Sequence, residues 1–123
     1  MKIIKTENAP QAIGPYSQAV CTGNLVFTSG QIAINPTTGN VESDNIESQT
    51  EQVCQNISAL LKASGTDISK VVKTICFLRN MEDFAAFNSI YEKYFISKPA
   101  RSCVAVRELP KNVLVEVDTI AEI

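Results

Sequence analysis

Read as a β-strand, the run Val71-Val72-Lys73-Thr74-Ile75-Cys76-Phe77-Leu78 is apolar on both faces: Val71, Ile75 and Phe77 point one way, Val72, Cys76 and Leu78 the other. A strand with one wet face alternates apolar and polar residues, so this one is covered twice. A chain of 123 residues holds one domain with a modest core. It has helices for one cover and few elements left for the other. The pattern therefore predicts a sheet with helices on one face and another subunit on the opposite face.

Two stretches of helical period supply the first cover. Ile46, Val53, Ile57, Leu60 and Leu61 share a face, with Cys54 beside it. Asp44 reads as the N-cap with Glu47 in the capping-box position, and Lys62 and Gly65 mark the end, which predicts a helix over residues 45–64. Asn80 reads as the cap of a second helix, with Glu82 and Asp83 in its first turn, where the dipole favours acids. Phe84, Phe87, Tyr91, Tyr94 and Phe95 form its aromatic face, and Asn88 falls within it. An amide buried there must be bonded, since an unpaired one costs roughly 1–3 kcal/mol.

The remaining segments read as strands and turns. Residues 2–5 form a first strand, broken at Asn8-Ala9-Pro10. Gly14-Pro15 fixes a turn that presents the Tyr16 phenol at a rigid corner. Ala19–Cys21 and Leu25–Ser29 flank Thr22-Gly23-Asn24 as a hairpin. Its second arm runs into Ser29-Gly30-Gln31, where Gly30 permits close backbone approach or a positive φ. Asn35 to Asn40 is a loop.

Past the linker Ile96-Ser97-Lys98 come two β-rich runs, Pro99–Val106 and Val113–Ile120, with Leu109-Pro110-Lys111-Asn112 read as the turn between them. Arg101, Cys103 and Ala105 share one face of the first run, and Leu114, Glu116 and Asp118 one face of the second. If the valine faces coincide, Arg101, Cys103 and Glu116 converge on one patch. A guanidinium grips a carboxylate by two bonds. A carboxylate set among Leu114, Val115 and Val117 pairs, hydrogen-bonds or takes a raised pKa, which equips it to move protons. The same spacing also fits an edge strand with a solvated charged face.

Composition removes several chemistries. With no histidine, Ser-His-Asp and Cys-His catalysis and histidine metal sites are out. Cys21, Cys54, Cys76 and Cys103 form no C-x-x-C pair, so neither a zinc knuckle nor a redox motif is indicated, and no metal or cofactor is expected. The first residues are too short and polar a stretch for a signal peptide, and no apolar run approaches the ~20 residues of a membrane span. A cytoplasmic protein with reduced thiols is the expectation. The net charge of −2, with both signs interspersed, gives nucleic acid no basic stripe to bind.

Pro99-Ala100-Arg101-Ser102-Cys103-Val104, Leu109-Pro110-Lys111 and Val115-Glu116-Val117 together resemble the signature of the reactive intermediate deaminase family (Rid, or YjgF-type). Ile13–Val20, the Ser29-Gly30-Gln31 element and Phe87-Asn88-Ser89-Ile90-Tyr91 resemble its other elements, in order along the chain. The resemblance implies an α+β fold: a single YjgF-like domain over residues 1–123. It has one mixed, mainly antiparallel sheet with two helices packed on one face (chorismate mutase-like). It also implies a homotrimer with pockets between subunits. The implied reaction is hydrolysis of 2-iminobutanoate or 2-iminopropanoate, and their enamine tautomers, to the 2-keto acid and ammonia. In that reading Arg101 holds the substrate carboxylate and Glu116 activates water and handles protons. Tyr16, Ser29, Asn88 and the backbone at Gly30 and Cys103 line the pocket. Imines are already electrophilic, so Cys103 is expected as a wall and not a nucleophile. The linker at 96–98 is shorter than in many relatives and bears on pocket depth. Two other readings stand beside this one. The first is a non-catalytic module that binds small keto acids or caps another protein. The second is an endoribonuclease or translation inhibitor, against which the acidic balance weighs.

Overall fold

The computed structural model describes residues 1–123. The hairpin forms as its turn residues predict: β2 (Ala19–Thr22) and β3 (Leu25–Thr28) pair antiparallel around Gly23 at φ +57°. β1 (Lys2–Ile4) adds to the outer edge of β2. α1 (Ile46–Ala63) follows, and Asn45 caps it in place of the expected Asp44, its side chain accepting from the Ser48 N–H at 2.9 Å. A cap side chain reaches amides two or three residues on, and Asp44 stands one residue too early. At the other end Gly65 sits at φ +87°. The Thr66 N–H donates to the Leu61 carbonyl at 3.0 Å and the Gly65 N–H to Lys62 at 3.1 Å, which completes a Schellman stop.

β4 (Val71–Leu78) carries a register shift between Val71 and Lys73. That bulge turns Val71 inward with Thr74, Cys76 and Leu78 and leaves Val72 exposed, reversing the grouping expected for those two valines. Asn80 caps only a 3-10 turn, Met81–Asp83, without a side-chain bond, and α2 (Phe84–Tyr94) begins after it. β5 (Ala100–Ala105) lies parallel to β4, with α2 as the crossover that a parallel pair requires. β6 (Val115–Glu122) is antiparallel to both β3 and β4. The strand order is β1-β2-β3-β6-β4-β5. The sheet is thus mixed and mainly antiparallel, with α1 and α2 on one face, as expected. Phe87, Phe95, Ile57, Leu60 and Leu61 are fully buried on that side, each worth roughly 1.5–3 kcal/mol of transfer free energy. Neither helix is long and apolar enough to cross a membrane.

The expected hairpin of the last two strands does not form, because β4 lies between β5 and β6. Residues 106–114 instead cross the end of β4. The Val106 N–H donates to Leu78 O at 2.9 Å, the Arg79 N–H to Leu114 O at 3.0 Å, and the Leu114 N–H to the buried Gln49 side chain at 2.8 Å. The central slot goes to β6, whose Val115, Val117, Thr119 and Ala121 are all buried, and the edge to β5, which has no fully buried residue.

Register now assigns faces. Arg101 stands opposite Thr74 and Cys103 opposite Cys76, so both lie on the helix side. Glu116 stands opposite Phe77 and Asp118 opposite Ile75, on the side that no helix covers. Ser102 and Val104 share that open face, and Val104 is 48% exposed.

Candidate active site

Glu116 owes its surroundings to a bulge. Phe27 pairs with Ile120 and Gln31 with Val117, four steps on one side against three on the other, so the segment after β3 carries one extra residue. The Thr28 hydroxyl locks the near end, accepting from the Thr119 N–H at 3.0 Å. The Gln31 N–H locks the far end, donating to Val117 O at 2.8 Å. Between them Gly30 is pressed onto Glu116. A Cβ on Gly30 would come within 2.1 Å of Glu116 Oε2. Of the two uses expected for this glycine, close approach is the one realised; its φ is not positive.

Tyr16 reaches the same place from a pinned loop. Gln18 is buried, and its side-chain nitrogen donates to Pro10 O at 2.7 Å and to Thr6 O at 3.0 Å. Ser29 ties this loop to the bulge: its hydroxyl donates to Ser17 O at 2.5 Å and its N–H to Gln18 O at 2.9 Å. The Ile13 N–H donates to the Tyr16 phenol at 3.3 Å. The result is a cavity of about 360 Å³ lined in part by Tyr16, Ser29, Gly30, Gln31, Lys111 and Glu116, a size that suits a small molecule. Burial, and then the neighbouring Asp118 carboxylate, push the Glu116 carboxyl above its ordinary range, and burial alone does the same to Asp118.

α2 positions Arg101. Its Nη1 donates to Asn88 Oδ1 at 2.8 Å, and its guanidinium carbon lies 4.8 Å from the Tyr91 ring centroid and 5.4 Å from that of Phe84. Tyr91 is fixed in turn by a 2.8 Å bond between its hydroxyl and Thr74 Oγ1. The Asn88 amide thus finds its partner in Arg101 and not in a loop backbone. Cys103 is half-buried, and desolvation raises its thiol more than nearby Arg101 lowers it. Such a sulfur stays protonated, which suits a wall better than a nucleophile.

One chain therefore brings Tyr16, Ser29, Gly30 and Glu116 together, and separately Asn88, Arg101 and Cys103. The two groups lie on opposite faces of the sheet, and the expected convergence of Arg101 with Glu116 does not occur within a single chain. Sequence reasoning missed Gln18, Gln31 and Lys111. A buried glutamine leaves no periodic trace, and Lys111, read as part of a turn and of the Leu109-Pro110-Lys111 motif, was given no role in the site. Lys111 and Asn112 both take left-handed backbone, φ 54° and 56°. That conformation costs a lysine roughly 1–2 kcal/mol.

Comparison with known proteins supplies relatives along the whole length. Residues 6–123 match the family described as Endoribonuclease L-PSP. AldR of Lactococcus lactis, whose name marks it as a candidate regulator, is 55% identical over 124 residues, covering 100% of this chain and 98% of that protein. The 2-iminobutanoate/2-iminopropanoate deaminase of Escherichia coli K12 is 47% identical over 124 residues, covering 98% and 96%. The crystal structure of E. coli TdcF with bound serine superposes with a TM-score of 0.95 at 39% identity, covering 100% of this chain and 99% of that one.

Proposed function

The chain belongs to the Endoribonuclease L-PSP family, the Rid or YjgF-type family that its motifs resemble, and on that footing we propose that it hydrolyses small 2-imino acids to 2-keto acids and ammonia. The observation that carries this reading is the division of labour between two half-sites. On one face a carboxylate whose pKa burial raises lies against backbone in a small cavity, and on the other a guanidinium is aimed by an amide and two aromatic rings. A homotrimer would join them, with Arg101, Asn88 and Cys103 of one copy closing over Tyr16, Ser29, Gly30 and Glu116 of the next.

In such a site Arg101 holds the substrate carboxylate by charge-assisted bonds of roughly 1.5–3 kcal/mol each. Water adds to the imine carbon as Glu116 takes one of its protons. Glu116 returns that proton to nitrogen. The hydroxyl proton then passes, again by way of Glu116, to the nitrogen as the C–N bond breaks, and the keto acid and ammonia leave. A carboxyl raised toward working pH can serve as base and then acid. The names of two relatives agree with the substrate class: one is a deaminase of 2-imino acids, and another was crystallised with serine, a small amino acid.

The family's description as an endoribonuclease supplies a second reading. Lys111 is the single cation among the residues lining the Glu116 cavity, whereas a nucleic-acid backbone is held by several. The test is ammonia release from dehydratase-generated 2-iminobutanoate. Arg101→Ala and Glu116→Gln are each expected to lose about a hundredfold or more in kcat/KM. Wild-type protein that gives no rate above the uncatalysed one would reject the proposal.

A further inference from the structure

β6 sets two carboxylates side by side. Glu116 and Asp118 are two residues apart on one strand, so both point to the open face of the sheet, about 6.5 Å apart along it. Both are half-buried. Their flanks carry no charge: Phe77 and Ile75 stand opposite them on β4, Ser29 and Gly30 lie on the bulge, and β5 adds only neutral residues to this face. Like charges set this close cost free energy, and acids taken out of water are ordinarily paired. Asp118 has no such relief, since neither a hydrogen bond nor an opposite charge offsets its burial. The titratable groups that face the pair from elsewhere in the chain are Lys73, one step past Ile75 on the same face of β4, and Lys111 and the Tyr16 phenol in the cavity wall. Neither lysine draws the Glu116 carboxyl down. The site proposed above adds one more charge, because Arg101 arrives there from another copy, together with Cys103. A cation beside a carboxyl favours its ionised form and makes it a weaker base.

We propose that Asp118 is a positioning residue for the reaction: its negative charge, set beside Glu116 on the same strand face, offsets the arginine of the neighbouring copy and keeps Glu116 able both to take a proton from water and to give it back. This rests on the function proposed above and deepens it. Asp118 acts through Glu116 alone and holds neither substrate nor water. Two acids placed so that one governs the proton of the other are a recurrent way of fitting a carboxyl to its task. Asp118 suits that place because the strand fixes its spacing from Glu116, and because no partner in the chain competes for its charge.

NMR of the full-length protein with isotope-labelled carboxyl carbons follows the Glu116 proton directly, its signal assigned by its loss in Glu116→Gln. Asp118→Asn is expected to move the Glu116 titration to lower pH, because the like charge that opposed ionisation is gone. Asp118→Ser should move it the same way, and Asp118→Glu should bring it back toward wild type. The acid limb of kcat/KM for 2-iminobutanoate should follow the titration in each variant. Above that limb Asp118→Asn should lose several-fold in rate, since a weaker base takes the proton more slowly. An Asp118 with only a structural role would lower the melting temperature and move neither profile. A Glu116 titration that stays in place in Asp118→Asn or Asp118→Ser, or one that moves while the acid limb does not, would overturn the inference and leave the deaminase reading standing. Wild type that releases no ammonia above the uncatalysed rate rejects that reading, and this inference with it.

Discussion

Gly30 is where the absence of a single carbon matters most. A Cβ there would meet Glu116 Oε2 at 2.1 Å and Cδ at 2.9 Å. The φ of Gly30 is not positive, and the obstructed atoms are the end of a flexible side chain, so Gly30→Ala is expected to fold with less than about 1 kcal/mol of change. The carboxylate, however, must move. Misplacing a reacting group by an ångström costs on the order of a hundredfold, so imine hydrolysis should fall by about that factor while the melting temperature holds. A fully active Gly30→Ala would show that Glu116 is not in its working position here. Glu116 itself makes a prediction whose sign follows from its surroundings. Burial and Asp118 both raise its carboxyl in the folded chain, so the fold keeps the proton to higher pH than the unfolded chain does. The stabilisation from that proton is whole below the unfolded value, about 4.3, and is lost as pH rises through the folded one. Glu116→Gln cannot ionise. It should melt above wild type at neutral pH, with the gap closing in acid. Melts recorded from acid to neutral pH check this, and a gap independent of pH contradicts it.

At the scale of elements, α2 is what aims Arg101. Asn88 accepts from the guanidinium, and Phe84 and Tyr91 flank it, all from one helix. Removing the amide frees the guanidinium to swing without removing its charge. Asn88→Ala should therefore raise KM about tenfold, the loss of one charge-assisted hydrogen bond, and leave kcat within a few-fold. A fall in kcat at unchanged KM would mean that Asn88 touches the reacting atoms instead. That α2 existed was legible from its aromatic period, and α1 from its apolar face and its Gly65 stop. The hairpin was legible from Gly23, and β4 was legible as a strand from its apolar run. The partner of β5 was not legible. Leu109-Pro110-Lys111-Asn112 has turn chemistry that serves a hairpin and a crossing equally well, and only the competition of β5 and β6 for the slot beside β4 decides between them. The bulge at Val71–Lys73 and the amide ties of Gln18, Gln49 and Asn56 are also tertiary; Asn56, for instance, holds Ile34 O at 2.9 Å, 22 residues away in sequence. In the candidate site, residue types announced Arg101 and Glu116, but their faces depended on that same unread strand order.

The whole molecule leaves one side of its sheet without a cover. Both helices pack on the other side, and Phe27, Ile75, Phe77 and Ile120 on the open side are only half-buried, with Val104 and Ile3 more exposed still. A monomer seldom presents so continuous an apolar surface to water, and an obligate interface would bury roughly 2,000 Å² or more of it. The same geometry prevents Arg101 from meeting Glu116 in one copy. Covering the sheet and completing the site become one requirement if copies associate head to tail in a closed ring, each lending its Arg101 edge to the next copy's Glu116 cavity. That arrangement can be tested without imaging it. Arg101→Ala and Glu116→Ala should each be inactive alone. Unfolded together in equal amounts and refolded, they assemble at random. An interface regains an intact site only when its arginine comes from the Glu116 variant and its glutamate from the Arg101 variant. With each chosen half the time, about a quarter of wild-type activity should return. If each copy holds its whole site, every copy in the mixture still carries a defect and nothing returns. Light scattering on the same samples separates a failure to assemble from a failure to share, because an inactive mixture that is fully oligomeric speaks against the shared site alone.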